Sequence, residues 1–246
     1  MNHADRVLQL PLNRTHMDST TSIMQSAKRF LSGTLFSRVS GMLRDISMAF
    51  AFGTQETVAA FFVAFRLAHL LRRLFGEGAM QSAFIPQFET YRKEDPLKAY
   101  SFFCNLTLLL TAGLTAFVAF LMILLAGFLN WMDLSAGNRE ILYYTLLLMP
   151  SLLFICLFGL NASLLQCEKS YFTPGIAPVA FNMVWVVGAL LLYQTSGAEA
   201  MPRLCFWVIA ACFAQWIVTL PQIWNLLKRQ GFATLKLRWN ALEVRS

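Results

Sequence analysis

Five arginines stand inside hydrophobic sequence between Leu31 and Tyr91: Arg38, Arg44, Arg66, Arg72 and Arg73. An arginine at bilayer depth costs at least ~2.5–3.5 kcal/mol on insertion scales, so such residues normally face a bundle interior or a watery cavity. Asp45 and Glu77 are the acids that accompany them in apolar sequence. A cavity lined in this way carries a net positive field. Guanidinium planes bind phosphate oxygens in pairs, so the expected ligand is an anion. The competing reading is interhelical hydrogen bonding or snorkelling to the surface, which suits Arg66 and Arg73 better than Arg38. His69, beside Arg66 and Arg73, is open to two readings, a proton relay or a hydrogen-bonded neighbour.

The elements that must hold these residues are membrane helices. Hydrophobic residues make up 57% of the chain, above the ~45–50% of soluble domains, which predicts an all-α polytopic membrane protein. The formal charge of +7 is scattered through and between apolar segments and forms no soluble basic face, so nucleic acid is not an expected partner. Five cysteines without metal or redox spacing read as small buried hydrophobes. No metal site, cofactor or enzyme motif of the HExxH, GxSxG, Walker or CxxC kind is expected. Without a nucleotide-binding loop, transport would depend on an ion gradient or the membrane potential, which supplies ~2.3 kcal/mol per charge per 100 mV.

A polar tail over 1–25 precedes a six-helix membrane lobe over 26–228, and a basic segment follows over 229–246. The expected spans are 30–52, 57–79, 100–129, 141–165, 174–193 and 204–227, each near the ~20 residues that cross the hydrocarbon. In the first, Gly33, Ser37 and Gly41 form a small-residue column for close helix packing. Arg38 and Asp45, seven residues apart, share a face and could partly neutralise each other. FGTQE marks a turn before the second span. There Arg66, His69, Arg73 and Glu77 make one polar stripe, and the helix is expected to kink or end at Pro86. FETYRKEDPLK reads as a charged, exposed loop. Asn105 and Asn182 are the strong hydrogen-bonding residues of the third and fifth spans, and Pro150 interrupts the fourth.

Orientation follows from the basic residues. With the N-terminus inside, thirteen fall on the cytoplasmic side and only Arg139 and Arg203 fall outside, a strong positive-inside bias. Both termini are then cytoplasmic, and the arginine cluster lies in the inner half of the bilayer.

SRVSGMLRD at Ser37–Asp45, AFFVAFRLAHLLRRLFGEGAMQSAFIPQF at Ala60–Phe88 and FTPGIAPVAFN at Phe172–Asn182 resemble the MurJ/MviN lipid II flippases of bacterial cell-wall synthesis. The resemblance implies a multidrug/oligosaccharidyl-lipid/polysaccharide exporter fold, in which two six-helix lobes enclose a cavity that opens alternately to either side. It further implies that lipid II, an undecaprenyl-pyrophosphate-linked disaccharide-peptide, is flipped across the bacterial inner membrane among membrane lipids. The family's Ser-Arg pair falls on Ser37 and Arg38, its second arginine on Arg44, and the first arginine of its Leu-Leu-Arg-Arg motif on Arg72. These groups, with His69 and Glu77 on the second span, are the expected substrate-binding residues, and Gly33 and Gly41 the packing residues. Ala59 and His69 depart from the Asp and Asn of the family pattern.

The family is similar to this chain over one lobe only, so the expectation is an N-terminal lobe that requires the missing C-terminal lobe or a second copy. Two alternatives remain: a half-length, non-transporting membrane scaffold, and an exporter of another substrate in the same superfamily.

Overall fold

A computed structural model describes residues 14–72 and 79–231 of the chain, with side chains over 31–71 and 81–231. The described residues form eight helices and no strand: α1 (Arg14–Phe52), α2 (Glu56–Arg72), α3 (Ala79–Glu94), α4 (Pro96–Trp131), α5 (Ala136–Leu148), α6 (Ser151–Cys167), α7 (Phe172–Leu191) and α8 (Gly197–Arg229). The six expected spans correspond to α1, α2, α4, the pair α5 and α6, α7, and α8. By length and composition, α4, α7 and α8 can each cross a membrane among the described residues, and α5 with α6, bent by 46° at their break, reach that length and apolarity only as a pair. Over the described residues the other two are not long and apolar enough to be counted: α1 carries Arg38, Arg44 and Asp45 in its apolar part, and α2 is described over 17 residues, up to Arg72.

Local chemistry accounts for the boundaries. Gly53, at φ +60°, closes α1 by donating its N–H to the Ala49 carbonyl, a left-handed conformation that glycine adopts without a Cβ penalty. The break at Pro150 follows from its missing N–H and its clash with the preceding turn, and α6 restarts at once.

Three expectations are corrected. The N-terminal tail was expected to stay irregular through residue 25, but α1 is already helical from Arg14. The segment RTHMDSTTSIMQSAK contains neither Gly nor Pro to stop a helix growing back from the apolar span. Pro86 neither ends nor limits its helix, since α3 runs eight residues beyond it. Phe84 and Phe88, both buried, anchor α3 on either side of the proline, and Thr90 Oγ1 donates to the Pro86 carbonyl at 2.9 Å. FETYRKEDPLK is charged and largely exposed as expected, but it is not a loop. It is the end of α3 and the start of α4, separated by Asp95 alone, whose carboxylate caps the Leu97 N–H at 2.9 Å ahead of Pro96 at the first turn.

Two ends of the bundle are tied differently. At one end Arg92 of α3 bridges to Glu168 after α6 at 3.1 Å and to Glu89 at 2.7 Å, and Tyr100 of α4 donates to Glu168 at 2.9 Å. At the other, Gly197 at the head of α8 sits against Gln55 in the α1–α2 turn and Thr57 at the start of α2, while Phe50 stacks on Tyr193. Between them lies the core. Phe61 and Ala64 of α2, Tyr144 of α5, Trp185 of α7 and Met201, Leu204 and Cys205 of α8 form its main cluster. A second cluster joins Phe84 and Phe88 of α3 to Tyr100 and Phe103 of α4 and Leu160, Leu164 and Leu165 of α6. α1 lies along α7 and α2 along α5, so the two helices diverge from their shared turn. The face of α1 turned away from α7 is apolar and exposed, with Leu35, Phe36, Val39, Met42, Leu43, Ile46 and Phe50 upon it.

Candidate functional site

The site grows from the seam between α1 and α7. Gly33 opens it: a Cβ there would lie 3.2 Å from the Gly175 backbone carbon, so glycine permits the two helices to touch. Four and eight residues on, Ser37 and Gly41 continue the column. At Gly41 the nearest neighbour of a Cβ would be Asn182 Nδ2 at 3.8 Å, an ordinary contact. The seam is therefore tight at Gly33 and relaxed at Gly41.

Asn182 reaches across it. This side chain, buried in α7, donates Nδ2–H to Ser40 Oγ at 2.8 Å and to the Ser37 carbonyl at 3.3 Å. Ser40 in turn donates to the Ser37 carbonyl at 2.8 Å. With both amide hydrogens used, Oδ1 is left as an acceptor, and Arg44 Nη1 donates to it at 3.4 Å. The Arg44 guanidinium also lies over the Trp185 ring, 5.1 Å from its centroid, a cation–π contact that gains strength out of water. On its outer edge Nε and Nη2 donate to Asp45 Oδ1 at 3.0 and 2.7 Å. The Arg44 side chain is 24% exposed and that of Asp45 65%, so the arginine is held from within by α7 and neutralised from without by its chain neighbour.

Trp185 links this seam to α2. Its ring meets Phe65 edge-on at 4.8 Å and Phe61 at 5.9 Å, and Phe65 meets the half-buried His69 at 4.5 Å. An aromatic chain thus runs from Arg44 to His69. The indole Nε1 of Trp185 is buried without a hydrogen-bond partner among the described residues.

The expected site residues divide. Arg44 and Ser37 meet α7, Ser37 through its backbone carbonyl. Arg38 is exposed on α1 and Arg66 on α2, neither with an ion-pair partner among the described residues. The expected neutralisation of Arg38 by Asp45 does not form, because Arg44 is adjacent and captures the carboxylate. Arg72 is the last residue described in α2, and its side chain, with Arg73 and Glu77, lies outside the described residues. The polar stripe is therefore seen only at Arg66 and His69. Asn182 and Trp185 are the additions: an amide and an indole three residues apart in an apolar span share a face, a signal that could have picked out both. Among the described residues no group of three His, Cys, Asp or Glu converges to hold a metal.

The family model described as Lipid II flippase MurJ matches residues 48–245. Among curated relatives, the probable lipid II flippase MurJ of Chlamydia pneumoniae is 30% identical over 210 residues, covering 85% of this chain and 38% of the relative. That of Chlamydia trachomatis is 33% identical over 211 residues, covering 85% and 39%. The lipid II flippase MurJ of Thermosipho africanus is 34% identical over 175 residues, covering 69% and 36%. A solved structure of lipid II flippase MurJ in an inward closed conformation superposes with a TM-score of 0.58 at 24% identity, covering 80% of this chain and 42% of that one. That likeness establishes the fold. The chain spans less than two-fifths of the length of the first of these relatives.

Proposed function

Because this chain belongs to the lipid II flippase MurJ family, we propose that it is one wall of a membrane transporter that carries lipid II from the inner to the outer leaflet of the bacterial cytoplasmic membrane. The observation that carries this reading is Arg44, a guanidinium fixed inside an apolar seam by Asn182 and Trp185. Its outer edge is covered only by an exposed aspartate. A pyrophosphate oxygen can replace that carboxylate with the same donor geometry. Arg38, exposed on the same helix two turns earlier, adds a second cation, and Arg72 is proposed as a third on α2.

An opposing wall is part of the proposal, from a C-terminal lobe or a second copy. Arg38 stands on the unpartnered face of α1, where lipid alone would leave its charge unsatisfied. Alternating access requires two bodies that rock about one site. Both termini are assigned to the cytoplasm on the distribution of basic residues. Since lipid II is anionic, membrane potential or an ion gradient can bias the cycle.

The scaffold reading has one observation in its favour: Arg44 is already satisfied within the lobe. Substitution separates the two. In cells depleted of their own flippase and supplied with both walls, Arg38→Ala or Arg44→Ala should abolish precursor export while membrane insertion persists. Lysine at either position should restore export only partly, because an ammonium does not reproduce the planar fork. Full export by both alanine variants refutes transport through these residues.

A further inference from the structure

We propose that Asn182, oriented by Ser40, is the positioning residue that aims the Arg44 fork at its anion. The inference rests on the anion-binding role proposed for Arg44 and goes beyond it by assigning a residue that touches no substrate. Three observations carry it. The Asn182 amide is locked in one orientation, because Nδ2 faces two acceptors on α1, the Ser40 hydroxyl and the Ser37 carbonyl. A flipped amide would turn its NH2 toward a guanidinium, donor against donor. Ser40 has already committed its own hydrogen to the Ser37 carbonyl, so it is available to Asn182 only as an acceptor. Finally, Asn182 is 5% exposed and Ser40 6%, so no solvent competes for these bonds.

The consequence is a division of the guanidinium. Nη1 is anchored inward on Asn182 Oδ1, and the ring of Trp185 supports one face. The remaining edge, Nε with Nη2, points at Asp45. That edge is the pair of parallel donors that suits a phosphoryl oxygen pair. Without Asn182 the guanidinium can rotate about its own bonds and present any edge. The anion then meets a charge instead of an oriented fork, and affinity falls through lost preorganisation.

The test uses inorganic pyrophosphate as probe and the detergent-solubilised chain, with binding followed by calorimetry and by tryptophan emission. Trp185 sits under Arg44, so its contribution, isolated against Trp185→Phe, reports guanidinium movement directly. Asn182→Leu, nearly isosteric, should weaken pyrophosphate about tenfold. Ser40→Ala, which keeps the helix and frees the amide to flip, should weaken it about two- to threefold. In an Arg44→Ala background neither substitution should have any further effect, since the positioned group is gone. A merely structural role for Asn182 predicts instead equal losses of thermal stability in both backgrounds and an unchanged affinity for the folded fraction. Binding by the wild type that Arg44→Ala abolishes but Asn182→Leu and Ser40→Ala leave intact overturns the positioning role alone. No pyrophosphate binding by the wild type overturns the anion-site reading, and this inference with it.

Discussion

Glu168→Ala should loosen the end of the bundle where α3, α4 and α6 meet, by more than its charge alone suggests. One carboxylate oxygen, Oε1, accepts from both Arg92 Nη1 at 3.1 Å and Tyr100 Oη at 2.9 Å. Arg92 survives the loss, since it keeps Glu89 at 2.7 Å and the Cys167 carbonyl at 3.2 Å. Tyr100 does not, being 2% exposed and left with a buried hydroxyl. Stranding such a group costs about 1–3 kcal/mol. The partly exposed ion pair adds at most about 1 kcal/mol, discounted for solvent screening. The expected total is about 2 kcal/mol. In a chain of this length that lowers the thermal midpoint by about 4–8 °C. Glu89→Ala removes a partly exposed i,i+3 pair and strands no buried hydroxyl, so it should lower the midpoint by no more than about 2 °C. Tyr100→Phe combined with Glu168→Ala should recover part of the loss, because no hydroxyl is then left unpaired. Thermal unfolding of the detergent-solubilised protein by circular dichroism measures all three. Equal shifts for Glu168→Ala and Glu89→Ala, or no recovery in the double variant, would refute the argument that the buried tyrosine dominates.

Three further expectations follow from packing and topology. Gly41→Ala should be neutral or raise the midpoint slightly, as alanine favours helix and meets only an ordinary contact, whereas Gly33→Ala should lower it by about 1 kcal/mol through pressure on the Gly175 backbone; thermal melts that reverse this order would disprove the uneven seam. Gly188→Ala should destabilise by about 1–3 kcal/mol, because the new Cβ would lie 2.5 Å from Trp207 Cγ, and the rescue to look for is Gly188→Ala with Trp207→Leu. Impermeant thiol labelling of single cysteines should reach 53–56, 130–139 and 194–202 from outside and leave 89–98 unlabelled until the membrane is opened; the opposite pattern overturns the orientation.

The all-helical class and the family were legible because they rest on long apolar runs and on contiguous motifs such as SRVSGMLRD. The turn at Gly53 and the break at Pro150 were legible for the same local reason, a residue whose backbone leaves few options. Pro86 misled because its effect depends on what surrounds it. Two buried phenylalanines flank the proline as α3 continues past it, and no window of sequence shows that they are buried. FETYRKEDPLK looked like a loop because it is charged, yet Arg92 and Glu89 find partners on their own helix and on the far side of α6. At the site, Arg44 was visible as a cation in the wrong solvent. Asn182 was visible as a lone amide in an apolar span, but its pairing with Arg44 was not, since it lies 138 positions away and nothing short of the fold joins them. Likewise the pairing of Asp45 with Arg44 instead of Arg38 runs against helical spacing, which puts 38 and 45 on one face and 44 and 45 about 100° apart, yet it is the adjacent side chains that meet.

That separation of 138 positions also bears on how the protein is made. Synthesis proceeds at about 5–20 residues per second, so α1 enters the bilayer on the order of ten seconds before α7 leaves the ribosome. Throughout that interval Arg44 has neither amide nor indole to receive it. Asp45 is the one partner that emerges with it, and the carboxylate already satisfies the Nε–Nη2 edge. The neighbouring pair can therefore travel as a neutral unit through the insertion machinery, and the nascent helix has no need to wait for the rest of its bundle.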